Sequence, residues 1–289
     1  MTGAYVIATY ALQESLRRKV LPIVLFLTAA FLALYWLGVS KAYDTINPTQ
    51  QETIGPSNVL IDARVLFSAT LFGLSMFAVL FLATVLAIFF THAVVRGDAE
   101  RGLLQPLVVR PVGRGVVLVG RLAAAIVACA VYVAVVYAAA LLITHSVTGW
   151  WPDRIVQPAV ELAGAIAVLC ALSLLGSVFL SAIANGIAVF MIFGAGLVAG
   201  LLGQIGEALQ SHSLDQIATV SSWALPFEAL YQDGLNAITA DTGGFTRAAL
   251  SLGPFGGAQP AGVAFAPYVL AYLAVVVGIA LFGFSRRDL

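Results

Sequence analysis

The stretch Leu162–Gly206, LAGAIAVLCALSLLGSVFLSAIANGIAVFMIFGAGLVAGLLGQIG, runs for about 45 residues without one Asp, Glu, Lys or Arg. A helix needs about 20 apolar residues to cross a hydrocarbon core of about 30 Å, because each residue rises about 1.5 Å. The run is therefore too long for one span and suits two. Asn185-Gly186, a turn dipeptide, sits at its midpoint, and a tight reversal is expected there. Two membrane helices in tandem set the class of the whole chain.

Applied outward, the same count gives six spans, at about 20–40, 67–91, 120–143, 162–183, 187–206 and 267–284. Tyr35 and Trp36 stand near the far end of the first as expected interfacial anchors, and Trp150-Trp151 follow the third. Composition agrees: of 289 residues, 61% are hydrophobic and 10% charged, against about 45–50% and about 25% in soluble domains. The basic cluster Arg17-Arg18-Lys19 follows sixteen residues of mixed pattern, so the first span is expected to be retained rather than cleaved.

A formal net charge of zero excludes a basic nucleic-acid binder. Cys129 and Cys170 both lie in apolar runs, where they offer neither a disulfide framework nor a thiolate metal site. His92, His145 and His212 fall at span ends or in connections, away from any G-x-S-x-G elbow, so no catalytic, cofactor-binding or metal-binding residue is expected. Charge is also missing from the span interiors. An ionisable group there usually marks an ion or proton pathway, which makes an ion-coupled carrier the weaker reading.

Lys and Arg orient the chain. With the N-terminus inside, cytoplasmic segments hold ten basic residues: Arg17, Arg18, Lys19, Arg96, Arg101, Arg110, Arg114, Arg121, Arg286 and Arg287. External segments hold four, Lys41, Arg64, Arg154 and Arg247. Acids divide the other way, four inside and ten outside, so the neutral total is two opposite faces. Both termini are expected in the cytoplasm, in a cytoplasmic membrane.

Two connections carry more than topology. The external segment 207–266 is too long to be structureless in a compact domain. Its apolar stretch Gln216–Phe227 contains Pro226 and is too short to cross, which favours a re-entrant or interfacial helix pair built around Trp223, Pro226, Phe227 and Glu228. The cytoplasmic loop 96–119 reads RGDAERGLLQPLVVRPVGRGVVLV. Asp98 can cap a short helix with an acidic first turn, Leu103, Leu104 and Leu107 give it an apolar face, and Pro106 and Pro111 bound it. Such a helix is a docking element; the alternative is a loop whose arginines only set topology. In span five, Gly194, Gly196, Ala199, Gly200 and Gly203 allow close backbone approach, either within the chain or at a dimer seam.

The loop resembles that of type-2 ABC exporter permeases, in the branch of the nitrous-oxide-reductase accessory permease. The matching residues are Glu100-Arg101-Gly102-Leu103-Leu104, then Pro111-Val112-Gly113-Arg114, then Gly120-Arg121. Leu103 stands where the family commonly has Thr, and Gly113 where it has Ser. Trp223-Ala224-Leu225-Pro226-Phe227-Glu228-Ala229-Leu230-Tyr231 and the C-terminal Phe284–Leu289 extend the resemblance over nearly the whole chain.

The resemblance implies an all-α membrane protein, one permease domain over 1–289. It has six transmembrane helices, an N-terminal interfacial elbow helix over Tyr5–Leu16, and outer re-entrant helices between spans five and six. Asp98, Glu100, Arg101, Gly102, Leu103, Leu104, Pro106, Pro111 and Arg114 would form a coupling element for a separate ATPase. Two ATPase copies would carry ATP and Mg, and a second permease chain, identical or not, would complete the transporter through a contact commonly involving the first and fifth spans. This chain holds no P-loop: its only lysines, Lys19 and Lys41, follow Arg18 and Ser40. Uncharged spans suit a lipid-like or drug-like cargo. A non-transporting membrane scaffold of the same fold is the alternative.

Overall fold

The computed structural model describes residues 20–46, 52–54, 59–61, 63–92, 114–242, 260, 262 and 264–286. The expected elbow over Tyr5–Leu16 and nearly all of the coupling loop lie outside the described residues. Six helices among them are long and apolar enough to cross a membrane. They are α1 (Val20–Ile46), α2 (Ala63–His92), α3 (Arg114–Thr148), α4 (Val156–Phe179), α5 (Ala182–Leu209) and α8 (Phe265–Ser285). Two shorter helices, α6 (His212–Ala224) and α7 (Pro226–Ile238), lie between α5 and α8. Between α1 and α2 a small antiparallel pair, β1 (Glu52–Ile54) and β2 (Val59–Ile61), sets Thr53 opposite Leu60.

α4 is the centre. It packs against α2, α3, α5, α7 and α8, and Leu162, Ile166, Leu169, Cys170 and Leu174 on it are fully buried. A helix apolar all round has no polar face to turn outward and is buried by its neighbours. α1, α5 and α8 instead keep large apolar side chains exposed, among them Phe26, Leu34, Ile183, Met191, Leu270 and Val275.

Several hydroxyls inside the spans find partners without water, as hydrocarbon demands, the buried Ser68 hydroxyl of α2 being an exception. Thr28, Thr84, Thr91 and Thr144 each donate to the carbonyl four residues back. Three pairs also tie helices together: Thr28 with Tyr132 at 2.5 Å, Tyr35 with Thr144 at 2.7 Å, and Thr91 with Ser173 at 2.6 Å. Tyr35 is thus a bridge from α1 to α3. α1 continues to Ile46, so Tyr35 lies inside the helix.

The reversal between the fourth and fifth spans also differs from expectation. It falls at Leu180–Ser181, where Leu180 is extended (φ −104°, ψ 159°), and Asn185-Gly186 lies inside α5. Asn185 is fully buried, and its Nδ2 donates to the Ser173 carbonyl at 3.0 Å. An asparagine that would be solvated in an aqueous turn here pins the start of α5 to α4. Gly149 closes α3 in the left-handed conformation (φ 66°), its N–H returning 2.8 Å to the His145 carbonyl.

Candidate functional site

The α6–α7 pair is the part of the fold that sequence alone defines least, and it has the most specific seat. Pro226 occupies the start of α7, where a missing N–H breaks no helical bond. From there Phe227, Leu230, Tyr231, Gly234, Leu235 and Ile238 recur at helical spacing, and all are buried. α7 is therefore embedded along one face rather than lying loosely on the bundle.

Glycines make the seat. The Phe227 ring lies against Gly196 of α5, in the space a Cβ would take, and stacks on Phe193 with centroids 5.9 Å apart. One turn along α5, Gly200 makes room for the side chains of Glu228 and Gln232. At Gly203 a Cβ would stand 3.0 Å from that of Ala218 on α6. Leu230 lies over Gly164 of α4, and Leu235 over Gly73 of α2. The Tyr231 hydroxyl points to the Gly73 carbonyl at 3.4 Å. Five glycines on three helices receive the pair, and backbone approach at this range is what small residues permit between membrane helices.

Both ends of α7 are tied. At the α6–α7 junction, Tyr268 and Tyr272 of α8 donate to the carbonyls of Trp223 and Ala224, the second at 3.0 Å. These belong to the last turn of α6, whose carbonyls lack intrahelical partners. Trp223 meets Tyr268 edge-on, with centroids 4.6 Å apart. At the far end, Asp153, between α3 and α4, donates its N–H to the Ile238 carbonyl at 3.2 Å. Its Oδ2 accepts from the Asp241 N–H at 2.9 Å.

α7 carries two acids, and both are buried. Glu228 is 6% exposed. It accepts one hydrogen bond, from Gln232 Nε2 at 3.0 Å, while its Oε2 has no hydrogen-bond partner. Burial pushes its carboxyl up to about 7 against the lowering effect of the Gln232 bond. Asp233 faces Glu161 of α4, and its Oδ2 accepts from Gln157 Nε2 at 3.4 Å. Gln157 in turn accepts from Arg154 at 2.9 Å. Among the described residues, no group of three or more His, Cys, Asp or Glu is placed to hold a metal ion.

The described residues form a bundle of closely packed helices. A family model described as ABC-2 family transporter protein matches residues 5–289, nearly the whole chain. The protein belongs to the ABC-2 transporter family. It is a membrane permease subunit of an ABC transporter, a transmembrane chain without an ATPase of its own. No curated protein matches it.

Of the residues expected to matter in this ABC-2 permease, two groups converge. Trp223, Pro226, Phe227 and Glu228 form the junction and start of α7, and Gly196, Gly200 and Gly203 form the surface beneath the helix pair. Within the described residues these glycines face the chain's own α6 and α7. Asp98, Glu100, Arg101, Gly102, Leu103, Leu104, Pro106 and Pro111 lie outside the described residues, and Arg114 begins α3. Sequence reasoning missed Gly73, Gly164, Tyr268 and Tyr272. The tyrosines left one signal: two phenols four residues apart on one apolar helix share a face.

Proposed function

We propose that this ABC-2 permease is the membrane half of an exporter, powered by a separate ATPase subunit that docks on the loop 96–119. The family match carries the reading: it spans residues 5–289 and takes in the loop as well as all six apolar helices. Members of the family generally work with an ATPase subunit and dimerise. Two ATPase copies bind ATP and Mg, and their closure drives a pair of permeases, identical or not, between two arrangements. Glu100, Arg101, Gly102, Leu103 and Leu104 supply the docking surface.

The basic bias of the loops places both termini and the docking loop in the cytoplasm, and the α6–α7 pair at the external face. There the pair closes the outer end of the path. Spans without charge favour an amphipathic, lipid-like or drug-like cargo moving along an apolar surface between permeases. The decisive experiment is mild solubilisation followed by co-purification. An ATPase subunit should be retained, and the complex in liposomes should hydrolyse ATP faster with cargo present. A chain that retains no ATPase subunit and moves substrate without ATP overturns the reading in favour of a carrier.

A further inference from the structure

Glu228 is in an unusual position for a carboxyl group. It sits at the third position of α7, buried between α7 and α5, in space that exists because residue 200 is glycine. One oxygen is served by Gln232, and the other has no hydrogen-bond partner. From α5 it meets Gly200, which has no side chain. On its own helix the nearest titratable neighbour is Tyr231, a phenol whose hydroxyl turns to Gly73. The other ionisable residues on the adjoining segments are Glu207 of α5 and His212 and Asp215 of α6, and His212 pairs with Gln216 at an exposed surface. Asp233 belongs to the separate contact with Glu161 of α4. Among the described residues, the influences on the Glu228 carboxyl are its burial and the Gln232 hydrogen bond, with no cation beside it.

We propose that the seat of α7 on α5 is a proton-binding site: the helix pair docks with Glu228 protonated and loosens when Glu228 ionises. An ionised carboxylate with an unserved oxygen is costly where water is excluded, whereas the neutral acid is tolerated. When α7 lifts, Glu228 is hydrated and releases its proton; when α7 reseats, it takes one up. The placement of this proton exchange at the external face rests on the reading above, and the site itself does not.

The sign follows from linkage. The docked carboxyl titrates near 7 and a hydrated one near 4.5, so the docked state holds its proton more tightly. Docking is strongest below about pH 4.5, weakens about tenfold per pH unit as pH rises toward about 7, and then levels off. Acid on that side of the membrane closes the pair; neutral or alkaline conditions free it.

Amide exchange over Pro226–Ile238, measured on the full chain in lipid nanodiscs and corrected for intrinsic exchange, tests the site regardless of orientation. Opening should rise more than tenfold between about pH 5.5 and about pH 7.5, and Glu228→Gln should flatten that rise. Equal protection at both pH values in the unsubstituted chain, or the same rise in Glu228→Gln, overturns the proposal. Glu161 of α4, a half-buried carboxyl that faces Asp233, is the competing source, so Glu161→Gln should leave the rise in place. Loss of the rise in Glu161→Gln overturns the proposal, and this variant decides if Glu228→Gln does not insert. A Leu230→Cys reporter in whole cells, challenged with an impermeant thiol reagent, then separates the two readings. Labelling that increases with external pH supports both. A pH response in nanodiscs with no labelling from outside leaves the proton site intact and overturns its external placement.

Discussion

Phe227 of α7 fills the space above Gly196 of α5 that any side chain at position 196 would need. Gly194, half a turn away on the same helix, has nothing within 4 Å of where its Cβ would be. The two glycines therefore give opposite outcomes on substitution. Gly196→Ala should destabilise the protein by about 1–3 kcal/mol, the usual range for overpacking, while Gly194→Ala should stay within about 0.5 kcal/mol of the parent. Thermal unfolding in detergent reads both. Adding Phe227→Leu to Gly196→Ala should recover part of the loss, because the two changes act on one contact and are not additive.

Gly176 and Asn185 form a second coupled pair, at the reversal between α4 and α5. A Cβ at 176 would run into the Asn185 side-chain oxygen. Asn185→Ala loses the 3.0 Å bond to the Ser173 carbonyl and should cost about 0.5–2 kcal/mol. Gly176→Ala alone should cost more, since the asparagine has no room to move in a fully buried site. Gly176→Ala together with Asn185→Ala should be more stable than Gly176→Ala alone. A double variant no better than that single one would mean that the two side chains do not meet.

The tyrosines of α8 hold the α6–α7 junction by hydrogen bonds to main-chain oxygens, which a phenylalanine cannot make. Tyr268→Phe and Tyr272→Phe keep ring packing and remove only the donors. Each should cost about 0.5–1.5 kcal/mol. The double variant should increase thiol labelling of a cysteine placed at Leu230, because α7 is then held by its seat and Asp153 alone. Unchanged labelling would show that the junction is fixed by packing.

Apolarity made the six spans legible, because a run of about 20 uncharged residues has few structures open to it in a membrane. The apolar stretch 216–227 is divided in the structure at Leu225, just before Pro226, into α6 and α7. What sequence left open was partnership. Gly196, Gly200 and Gly203 announce a close approach, but nothing in their spacing says that Phe227, Glu228 and Ala218 are what approaches. Asn185-Gly186 misled because the turn preference of that pair reflects aqueous chains, where the side chain competes with the backbone for hydrogen bonds. Inside this bundle Ser173 and Gly176 give the asparagine a better place within a helix. Tyr268 and Tyr272 could be placed on one face but not matched to carbonyls more than forty residues away.

Orientation has a direct readout. Ten of the fourteen basic residues fall on the side assigned to the cytoplasm. In whole cells, a cysteine at Gln50 should react with an impermeant reagent, and one at Gly113 should react only after the membrane is opened. The reverse pattern would invert the bundle and put the α6–α7 pair inside.

Coupling is the remaining expectation, and it separates insertion from work. α3 begins at Arg114, so residues 96–113 of the expected loop fall between α2 and α3, and substitutions at 100, 103 and 104 lie outside both helices. Glu100→Ala and Leu103→Ala together with Leu104→Ala remove the acidic and apolar parts of the docking surface while keeping all the arginines that orient the chain. The protein should then reach the membrane at normal levels. ATP hydrolysis by the complex should persist with less or no cargo stimulation, and transport should fall at least tenfold, about 1.4 kcal/mol of lost coupling. Because α7 is held by α2, α4 and α5, its exchange protection should not change in these variants. Transport at the parental rate with Glu100 and both leucines replaced would remove the loop from the mechanism and leave its arginines as topology signals only.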